Sequence, residues 1–469
     1  MDRQFDRHED HVIVPRGRKI AYGAGIIGQP LMSDVILTYA ILFYNTILGV
    51  DAVLVGWALF IPRFWDAITD PLMGQISDNF RSRWGRRRPF ILIGGLLCCL
   101  AFLLLWRVPA DFSERAKICY LIAASILFYT FYTVATVPHY ALGAELSTDY
   151  NERTSIYSYR TFCQRLGSLI AAPLWWLVFK FSSPQQGFAV ITLFLSLMAA
   201  GGYVWTVLGT REEAEVQTRP KTSILSALRY TFENRPGVLL IASMFILVFA
   251  IMTVIPFISY VIIYYVYAGD KAAAGPLFAA SQAMYITGVL LAIPLANWAG
   301  IKIGKRNALM VAMVFMCVGC ISSWLFITPA SPWLLLAFWA ALIPANAGIS
   351  IFPLSMLADV IDLDELRSDT RREGAYSSLF TFFWKLGITL GTLFLGYCLR
   401  WVGFDESLTQ QDPQTLLNLR LILAIFPVVL AIVAVILLIA YPINKKQVEA
   451  TRAILEERRR NRLHAVSES

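Results

Sequence analysis

The chain has 469 residues, of which 57% are hydrophobic and only 15% are charged. Soluble domains carry charge on about a quarter of their residues, so this composition excludes an ordinary soluble protein. The net charge of +8 would also fit a nucleic-acid-binding protein. The basic residues lie between apolar segments, however, which is typical of membrane topology and predicts no nucleic-acid partner.

Apolar runs of about 20 residues or more recur along the whole chain, and each is long enough to cross a bilayer as a helix. Residues 1–19 precede them; they are charged, lack the apolar core of a signal peptide, and are predicted to form a cytoplasmic N-tail. The seven cysteines fall in or at the ends of apolar runs and are interpreted as small hydrophobic residues. We predict spans near residues 20–49, 53–77, 89–107, 117–146, 157–179, 186–208, 237–267, 275–299, 307–328, 332–361, 375–401 and 417–442.

The basic residues of the loops indicate the topology. If the chain crosses twelve times, 29 of its 40 Lys and Arg residues lie on the side of both termini, 7 lie on the other side, and the rest lie within spans. Positively charged loops are retained in the cytoplasm. Both termini are therefore predicted to be cytoplasmic, in a multi-pass protein of the plasma or cytoplasmic membrane.

The longest internal polar stretch divides the spans six and six. It predicts a cytoplasmic central loop at residues 209–236, between an N-terminal six-helix bundle at 20–208 and a C-terminal bundle at 237–442. Residues 443–469 are charged and are predicted to form a helical cytoplasmic C-tail. The predicted fold class is an all-α integral membrane protein with twelve transmembrane helices in two six-helix halves.

A faint internal repeat agrees with this division. The loop after the second span carries Gly85 followed by three arginines, and the loop after the eighth carries Gly304, Lys305 and Arg306. Two related halves with a substrate path between them are a common plan for transporters.

The second span contains two acids that are costly in a bilayer. A charge at the centre of a span costs about 2.5–3.5 kcal/mol on insertion scales, and function is the usual reason to carry it. Helical spacing places Arg63, Asp66 and Asp70 on one face. One cation and two anions leave a net negative charge, which a bound cation would neutralise; simple pairing of one acid with Arg63 is the structural alternative.

These features together resemble the major facilitator superfamily, and within it the glycoside–pentoside–hexuronide:cation symporters of the melibiose-permease type. The likeness covers essentially the whole chain. The motifs that carry it are Arg63-Phe-Trp-Asp-Ala-Ile-Thr-Asp-Pro71, Arg81-Ser-Arg-Trp-Gly-Arg-Arg-Arg-Pro89, Pro138-His-Tyr-Ala-Leu-Gly-Ala-Glu-Leu146, Asp149-Tyr-Asn-Glu-Arg153-Thr, Tyr159-Arg160, Ala358-Asp-Val-Ile-Asp362, Arg371-Arg-Glu-Gly374 and Lys385-Leu-Gly387.

The resemblance implies a coupling-ion site. In that family two acids of the second helix hold Na⁺ or H⁺, and the fourth helix adds a hydroxyl. The matching residues are Asp66 and Asp70, with Thr69 and Thr133 as oxygen ligands. Carboxylate and hydroxyl oxygens suit a hard cation such as Na⁺. A transient Na⁺ or a proton is therefore expected there, and no other cofactor is expected.

The resemblance also implies where substrate binds, and the chain departs from its sugar-carrying members there. Their acidic clamp on sugar hydroxyls is replaced by Gln29-Pro30 in the first span and by Thr136 in the fourth, four residues before Tyr140. Asp34 lies one turn beyond Pro30 and is a candidate substitute. The predicted substrate-binding residues are Asp34, Thr136, Tyr140, Arg160 and Lys385.

Retained basic residues and fewer acids favour an anionic or zwitterionic substrate. Two substrate classes stay open: a glycoside, sugar acid or related organic solute, and a lysophospholipid-type amphiphile, which some relatives carry. The structural alternatives are that Lys385 bridges to a nearby acid and that Arg160 holds Asp34 or Glu145 in place. His139 is interpreted as a packing residue.

A second group of charges is predicted to brace or gate the bundle on the cytoplasmic side. Asp78 and Arg86 belong to the basic loop, which resembles the cytoplasmic brace of the superfamily. Asp359 and Asp362 share a face of the tenth span, where Arg153 and Arg372 are predicted to pair with them as an inner gate. Arg63 completes the predicted gating and structural set.

Function classes other than a symporter are disfavoured. The chain lacks the Gly-x-x-x-x-Gly-Lys-Ser/Thr loop of ATP-driven pumps. An intramembrane enzyme using Asp66 and Asp70 would need a nucleophile–base pair or a His metal set, and neither is evident. The expected partners are a small-molecule or amphiphilic substrate, the coupling cation and the lipid bilayer, and the protein is expected to function as a monomer.

Overall fold

A computed structural model describes residues 14–109, 111–147, 150–212, 234–368 and 372–467 of the chain. Within them every regular element is helical. Most of the predicted N-tail and most of the predicted central loop lie outside the described residues. The described part of the chain separates into two compact units, the first within residues 1–40 and 61–218 and the second within residues 41–60 and 219–469.

Six long helices begin the chain. They are α1 (Arg16–Ile47), α2 (Ala52–Asn79), α3 (Arg88–Leu105), α4 (Glu114–Glu145), α5 (Tyr150–Ala171) and α6 (Pro184–Gly209). In the first unit α1 packs on α5 and α6, and α3 packs on α4 and α6.

Six more spanning helices and a terminal helix follow. They are α7 (Arg235–Val266), α8 (Gly275–Ile303), α9 (Lys305–Phe326), α10 (Pro332–Ser368), α11 (Glu373–Trp401), α12 (Pro413–Ala440) and α13 (Lys445–Ser467). In the second unit α7 packs on α11 and α12, and α9 packs on α10 and α12. Each of these pairings is a first-unit pairing advanced by six helices, so the repeat that is faint in the sequence is clear in the packing.

The described residues include the twelve long helices that the sequence predicts, and eleven of these are apolar enough to cross a membrane by length and composition. The twelfth, α5, carries Glu152, Arg160 and Arg165 among its residues. It begins near Tyr150, earlier than predicted, and a short separate helix, Leu174–Val178, follows it. Pro173 lies in this break, where its missing N–H and fixed φ end the regular hydrogen bonding.

Helix α1 is interrupted by two wide π-helical segments, Gln29–Asp34 and Phe43–Ile47. Pro30 lies at the start of the first segment and cannot donate an intrahelical hydrogen bond. Such π segments often occur at functional sites. The first one ends at Asp34, the acid that the sequence singles out in this span.

The end of α1 and the start of α2 belong to the second unit. Tyr260 donates its hydroxyl hydrogen to Oδ1 of Asn45 at 3.0 Å. Nε1 of Trp57 donates to the hydroxyl oxygen of Tyr397 at 3.1 Å. These contacts fix the α1–α2 turn on α7 and α11.

Candidate cation and substrate sites

The two acids of α2 face a threonine of α4. Asp66 is 1% exposed, and Oδ1 of Asp66 lies 2.7 Å from the Thr133 hydroxyl. The same hydroxyl lies 3.1 Å from Oδ1 of Asp70. The Thr69 hydroxyl donates to the Asp66 carbonyl oxygen at 3.2 Å and lies 3.5 Å from Oγ1 of Thr133. All four residues predicted as the cation site therefore lie in one cluster of oxygen atoms.

The hydroxyl of Thr133 has a single hydrogen, so it donates to one of the two carboxylates at a time. Two carboxylates that share a site repel each other, and a bound proton or small cation would offset this repulsion. Among the described residues no group of three His, Cys, Asp or Glu forms a metal site. The oxygen set suits Na⁺ or H⁺ chemistry and not a transition metal.

Arg63 is directed toward other groups. Its Nη2 lies 3.4 Å from the hydroxyl of Ser33, and its guanidinium lies over the ring of Tyr129 at 4.8 Å from the centroid. The charge of Arg63 acts electrostatically on both Asp66 and Asp34. Arg63 therefore holds α2 against α1 and α4.

Asp34 lies within reach of two cations in the first unit. The charges that act on it are those of Arg63 and Arg165. The alternative in which Arg160 holds Glu145 is not the arrangement found, because Glu145 pairs with Arg86 and with Arg87. Arg165 was not predicted as a site residue; its signal in the sequence is a second arginine inside α5.

Arg160 and Tyr140 form a stacked pair that joins α5 to α4. The Arg160 guanidinium lies 4.5 Å from the ring centroid of Tyr140 and 5.9 Å from that of Tyr157. The hydroxyl of Tyr140 donates to Oε1 of Gln29 at 2.8 Å. Tyr140 is 36% exposed, so the pair remains accessible. Gln29 thus belongs to this group. The sequence indicated it only as a departure from the sugar-carrying members and did not predict it as a binding residue.

Thr136 and His139 are turned into the protein. Thr136 is 5% exposed and donates its hydroxyl hydrogen to the carbonyl oxygen of Tyr132 at 2.8 Å, within its own helix. His139 stacks on Tyr22 with ring centroids 4.7 Å apart. Its burial agrees with the interpretation as a packing residue, and the burial of Thr136 weakens its case as a substrate ligand.

Lys385 belongs to the second unit. It lies on α11 and is partly exposed, and its backbone carbonyl oxygen accepts a hydrogen bond from the Thr389 hydroxyl at 2.7 Å. Its role in substrate binding stays a prediction.

The basic loop between α2 and α3 is held by acids of the first unit. Arg87 is 5% exposed and pairs with Asp78 at 3.0 Å and with Glu145 at 2.8 Å. Arg86 also pairs with Glu145. Burial lowers the pKa of Arg87, and the acids beside it oppose this shift. Asp78 and Arg86 therefore take part in ion pairs between the ends of α2 and α4, and their bracing role stays a prediction.

Two of the residues predicted to form the gate take part in ion pairs within the second unit. Oδ2 of Asp359 lies 2.6 Å from Nζ of Lys305, and Arg372 lies 3.8 Å from Asp364. The side chain of Arg153 lies outside the described residues. Asp359 therefore pairs within its own unit, because the turn before α9 brings Lys305 beside α10; the gating role itself stays a prediction.

Comparison with known proteins agrees with these features. Residues 21–445 match the family described as MFS/sugar transport protein. A solved structure of the nucleoside transporter NupG has a similar fold, with a TM-score of 0.64 at 14% identity over 90% of this chain and 98% of that one. The helices and the repeat define a membrane transporter of the major facilitator fold. The chain belongs to the MFS/sugar transport family.

Two curated relatives span nearly the whole chain. The putative glycoside/cation symporter YagG of Escherichia coli is 28% identical over 94% of this chain and 95% of its own length. The sodium-dependent lysophosphatidylcholine symporter 1-B of Danio rerio is 25% identical over 88% of this chain and 84% of its own length. The predicted family and fold are confirmed, and so is the prediction of a transporter and not an enzyme.

Proposed function

We propose that the protein is a cation-coupled symporter that imports a glycoside or sugar acid by alternating access. The observation that carries this proposal is the Thr133 hydroxyl, which lies within hydrogen-bond distance of both Asp66 and Asp70. A hydroxyl between two carboxylates is a ready oxygen set for Na⁺ or H⁺. The name of the glycoside/cation relative supports the same class.

Na⁺ is the preferred coupling ion in this proposal. Asp66 lies almost fully buried in the cluster. A pair of neighbouring acids is stabilised by a hard cation that takes several oxygen ligands. Here these are the carboxylates with the hydroxyls of Thr69 and Thr133, and water would complete the shell. The alternative ion is H⁺, which one carboxylate would bind because the other raises its proton affinity.

Arg160 is proposed as the anion-binding group for the substrate. Its guanidinium is held over Tyr140, whose hydroxyl is fixed by Gln29. A guanidinium that stacks on an aromatic ring keeps its outer N–H groups directed at a carboxylate. A sugar acid would pair with Arg160 while its ring packs on Tyr140, and Asp34 would accept hydroxyl hydrogens from the sugar.

The coupling step follows from charge. Without a cation, α2 carries two acids and one arginine within its span, and rearranging this helix is unfavourable because the unbalanced charge must be moved through a low-dielectric region. Cation binding neutralises the cluster and substrate binding neutralises Arg160. The fully loaded carrier therefore crosses more readily than the half-loaded forms.

A lysophospholipid-type amphiphile is the second candidate substrate. The observation that favours it is the similarity to the sodium-dependent lysophosphatidylcholine symporter over most of the chain. The replacement of the acidic sugar clamp by Gln29 and Pro30 agrees with it. A phosphate headgroup would pair with Arg160 in the same way as a carboxylate.

The test is uptake into proteoliposomes driven by an inward Na⁺ gradient or by an inward pH gradient. The compounds offered are a neutral glycoside, a sugar acid and a lysophosphatidylcholine. A symporter accumulates one of them unchanged under one gradient. Asp66→Asn and Asp70→Asn should each abolish this accumulation, whereas Asp111→Asn, at an exposed loop acid, should not. Full accumulation by both α2 variants would refute the cation site, and failure of every compound would refute the substrate classes.

A further inference from the structure

The two units carry equivalent turns before equivalent helices. Gly85, with a φ of +104°, precedes α3, and Gly304, with a φ of +84°, precedes α9. Both glycines adopt a backbone conformation that other residues rarely take. Because α3 and α9 also occupy equivalent positions in the packing of their units, their N-termini can be compared directly.

At the first turn a carboxylate caps the helix. Glu212 accepts backbone hydrogen bonds from Arg86 at 2.6 Å, from Arg87 at 2.8 Å and from Arg88 at 2.9 Å. The first N–H groups of a helix have no intrahelical acceptor and attract anions. Glu212 therefore occupies the anion position of this turn with a residue from the chain itself.

At the second turn the N-cap residue of α9 is Gly304, which has no side chain to cap the helix. The turn opens instead onto a cavity of about 630 Å³. The first turn of α9 lines the cavity together with residues at the end of α12 and the start of α13. Those lining residues are Gly304, Lys305, Arg306, Asn307, Tyr441 and Lys445.

Two buried polar atoms in this lining have no hydrogen-bond partner among the described residues. One is the hydroxyl of Tyr441, a residue that is 1% exposed. The other is Nε of Arg306, whose Nη1 donates to the Tyr441 carbonyl oxygen at 3.0 Å. Burial and the nearby charge of Asp359 raise the pKa of Tyr441, so its phenol keeps its proton and remains a donor. Buried donors of this kind are normally satisfied, by protein, water or a ligand.

The charges that line the cavity are three basic and two acidic groups. Lys305 pairs with Asp359 at 2.6 Å, and Nζ of Lys445 donates to the Ile301 carbonyl oxygen at 2.8 Å. Glu449 lies exposed at the rim. The charges of Lys305 and Asp359 offset each other. The positive charge that remains at the site comes from Arg306, Lys445 and the N-terminal end of the α9 dipole, and it favours an anion.

We propose that this cavity binds the phosphate group of an anionic ligand, in the position that Glu212 fills at the equivalent turn. The phosphate oxygens would accept from the α9 N-terminus, from Arg306 and from the Tyr441 hydroxyl. The same chemistry is offered by a phospholipid headgroup and by free phosphate. The lipid is favoured because α8 presents two exposed apolar side chains at this end, Ile301 in the lining and Trp298 one turn before it, which can contact acyl chains.

The test compares the purified full chain with two variants. Tyr441→Phe removes only the partnerless hydroxyl, and Tyr264→Phe removes another buried hydroxyl of the second unit that has no hydrogen-bond partner among the described residues. Thermal shift and native mass spectrometry are measured with dioctanoyl phosphatidylglycerol, with dioctanoyl phosphatidylcholine and with inorganic phosphate. Loss of one hydrogen bond to a charged group should weaken binding about tenfold.

The proposal predicts that an anionic probe stabilises the wild type and the Tyr264→Phe variant, and binds about tenfold more weakly to Tyr441→Phe. Preference for phosphatidylglycerol identifies a lipid headgroup as the source, and an equal response to inorganic phosphate identifies free phosphate. Arg306→Gln should weaken binding of the same probe. No stabilisation by either anion, or equal binding to Tyr441→Phe and wild type, would overturn the proposal.

Discussion

The Thr133 hydroxyl lies 2.7 Å from Oδ1 of Asp66 and ties α4 to the acidic face of α2. Because the same oxygen lies 3.1 Å from Asp70, a change at Thr133 affects both carboxylates at once. The residue is 1% exposed, so water cannot readily replace it. A single hydroxyl thus controls the geometry and the charge balance of the proposed cation site.

Replacement of Thr133 by Val should weaken cation binding. The change preserves the shape of the side chain and removes one oxygen that contacts both acids. A hydrogen bond to a charged group contributes about 1.5–3 kcal/mol, so the cation concentration for half-maximal uptake should rise about tenfold or more. The measurement is the Na⁺ dependence of uptake in proteoliposomes.

Thr133→Ser keeps the hydroxyl and should restore most of the affinity. Thr192→Val serves as the matched control, because Thr192 is also buried but donates its hydroxyl hydrogen within α6 to Phe188. An unchanged Na⁺ dependence in Thr133→Val would show that this hydroxyl is not a ligand.

Removal of the Glu212 carboxylate should destabilise the first unit. Glu212→Ala leaves the N-terminus of α3 without its cap, and loss of a cap together with the charge–dipole attraction costs about 1–3 kcal/mol. The melting temperature in detergent should fall by a few degrees. Glu457→Ala, at an exposed position of α13, is the control; equal melting temperatures of the two variants would contradict the capping role.

Gly85 should tolerate no side chain. Its φ is +104°, and a Cβ atom built there would lie 2.7 Å from Oε1 of Glu212. Gly85→Ala should therefore cost about 1–3 kcal/mol through backbone strain, and it should disturb the same cap. Gly201→Ala is the control, because a Cβ at Gly201 meets nothing within 4 Å. If Gly85→Ala melts like Gly201→Ala, the turn does not require glycine.

The fold and the position of the two acids on one face of α2 were largely predictable because they depend on local spacing. Apolar runs fix the helices, and helical periodicity brings Asp66 and Asp70 to one face. The adjacency of Thr133 came from the family resemblance and agrees with the structure. The start of α5 near Tyr150 was not predicted, because the first residues of this helix are polar and do not form an apolar run.

Contacts between residues far apart in the sequence could not be predicted in the same way. Glu212 accepts a hydrogen bond from the backbone of Arg87, 125 residues earlier in the sequence. Lys305 pairs with Asp359, which lies 54 residues later. The sequence does not show which acid will pair with a given basic residue, because the chain contains many acids and any of them could form the ion pair. The π-helical segment at Pro30 depends on the backbone hydrogen bonding of α1 as a whole. The spacing of apolar residues in the sequence does not predict that hydrogen bonding.

Breaking the Asp359–Lys305 pair should destabilise the second unit and alter the conformational equilibrium. Asp359 is 4% exposed, and removal of one partner of a buried pair costs about 3–5 kcal/mol. The value for Asp359→Asn should be lower, about 2 kcal/mol, because the Lys305 side chain is 29% exposed and solvent screens its charge. Thermal unfolding measures the loss, and Lys305→Met combined with Asp359→Asn gives the coupling energy.

The gating hypothesis for Asp359 predicts a second effect. Loss of its charge should favour the inward-open state, so that a cysteine introduced at Ala358, an exposed neighbour on α10, reacts faster with a maleimide. The exposed Cys119 is replaced by Ser in every variant to remove its background reaction. An unchanged labelling rate in Asp359→Asn would leave the pair with a purely structural role.

Arg160 should determine the preference for anionic substrate. The stack of its guanidinium on Tyr140 fixes its orientation, so Arg160→Gln removes the positive charge from a positioned side chain. The KM for a sugar acid should rise by about 10- to 100-fold, which corresponds to the loss of a hydrogen bond between charged groups. The KM for a neutral glycoside and the Na⁺ dependence of uptake should stay close to wild type.

Two further variants separate the charge of Arg160 from its shape. Arg160→Lys keeps the charge but loses the planar fork, so its KM for the sugar acid should fall between those of wild type and Arg160→Gln. Arg115→Gln, at an exposed arginine, controls for the change in overall charge. Equal losses for the acidic and the neutral sugar in Arg160→Gln would show that Arg160 supports the structure of the site and does not recognise the charge of the substrate.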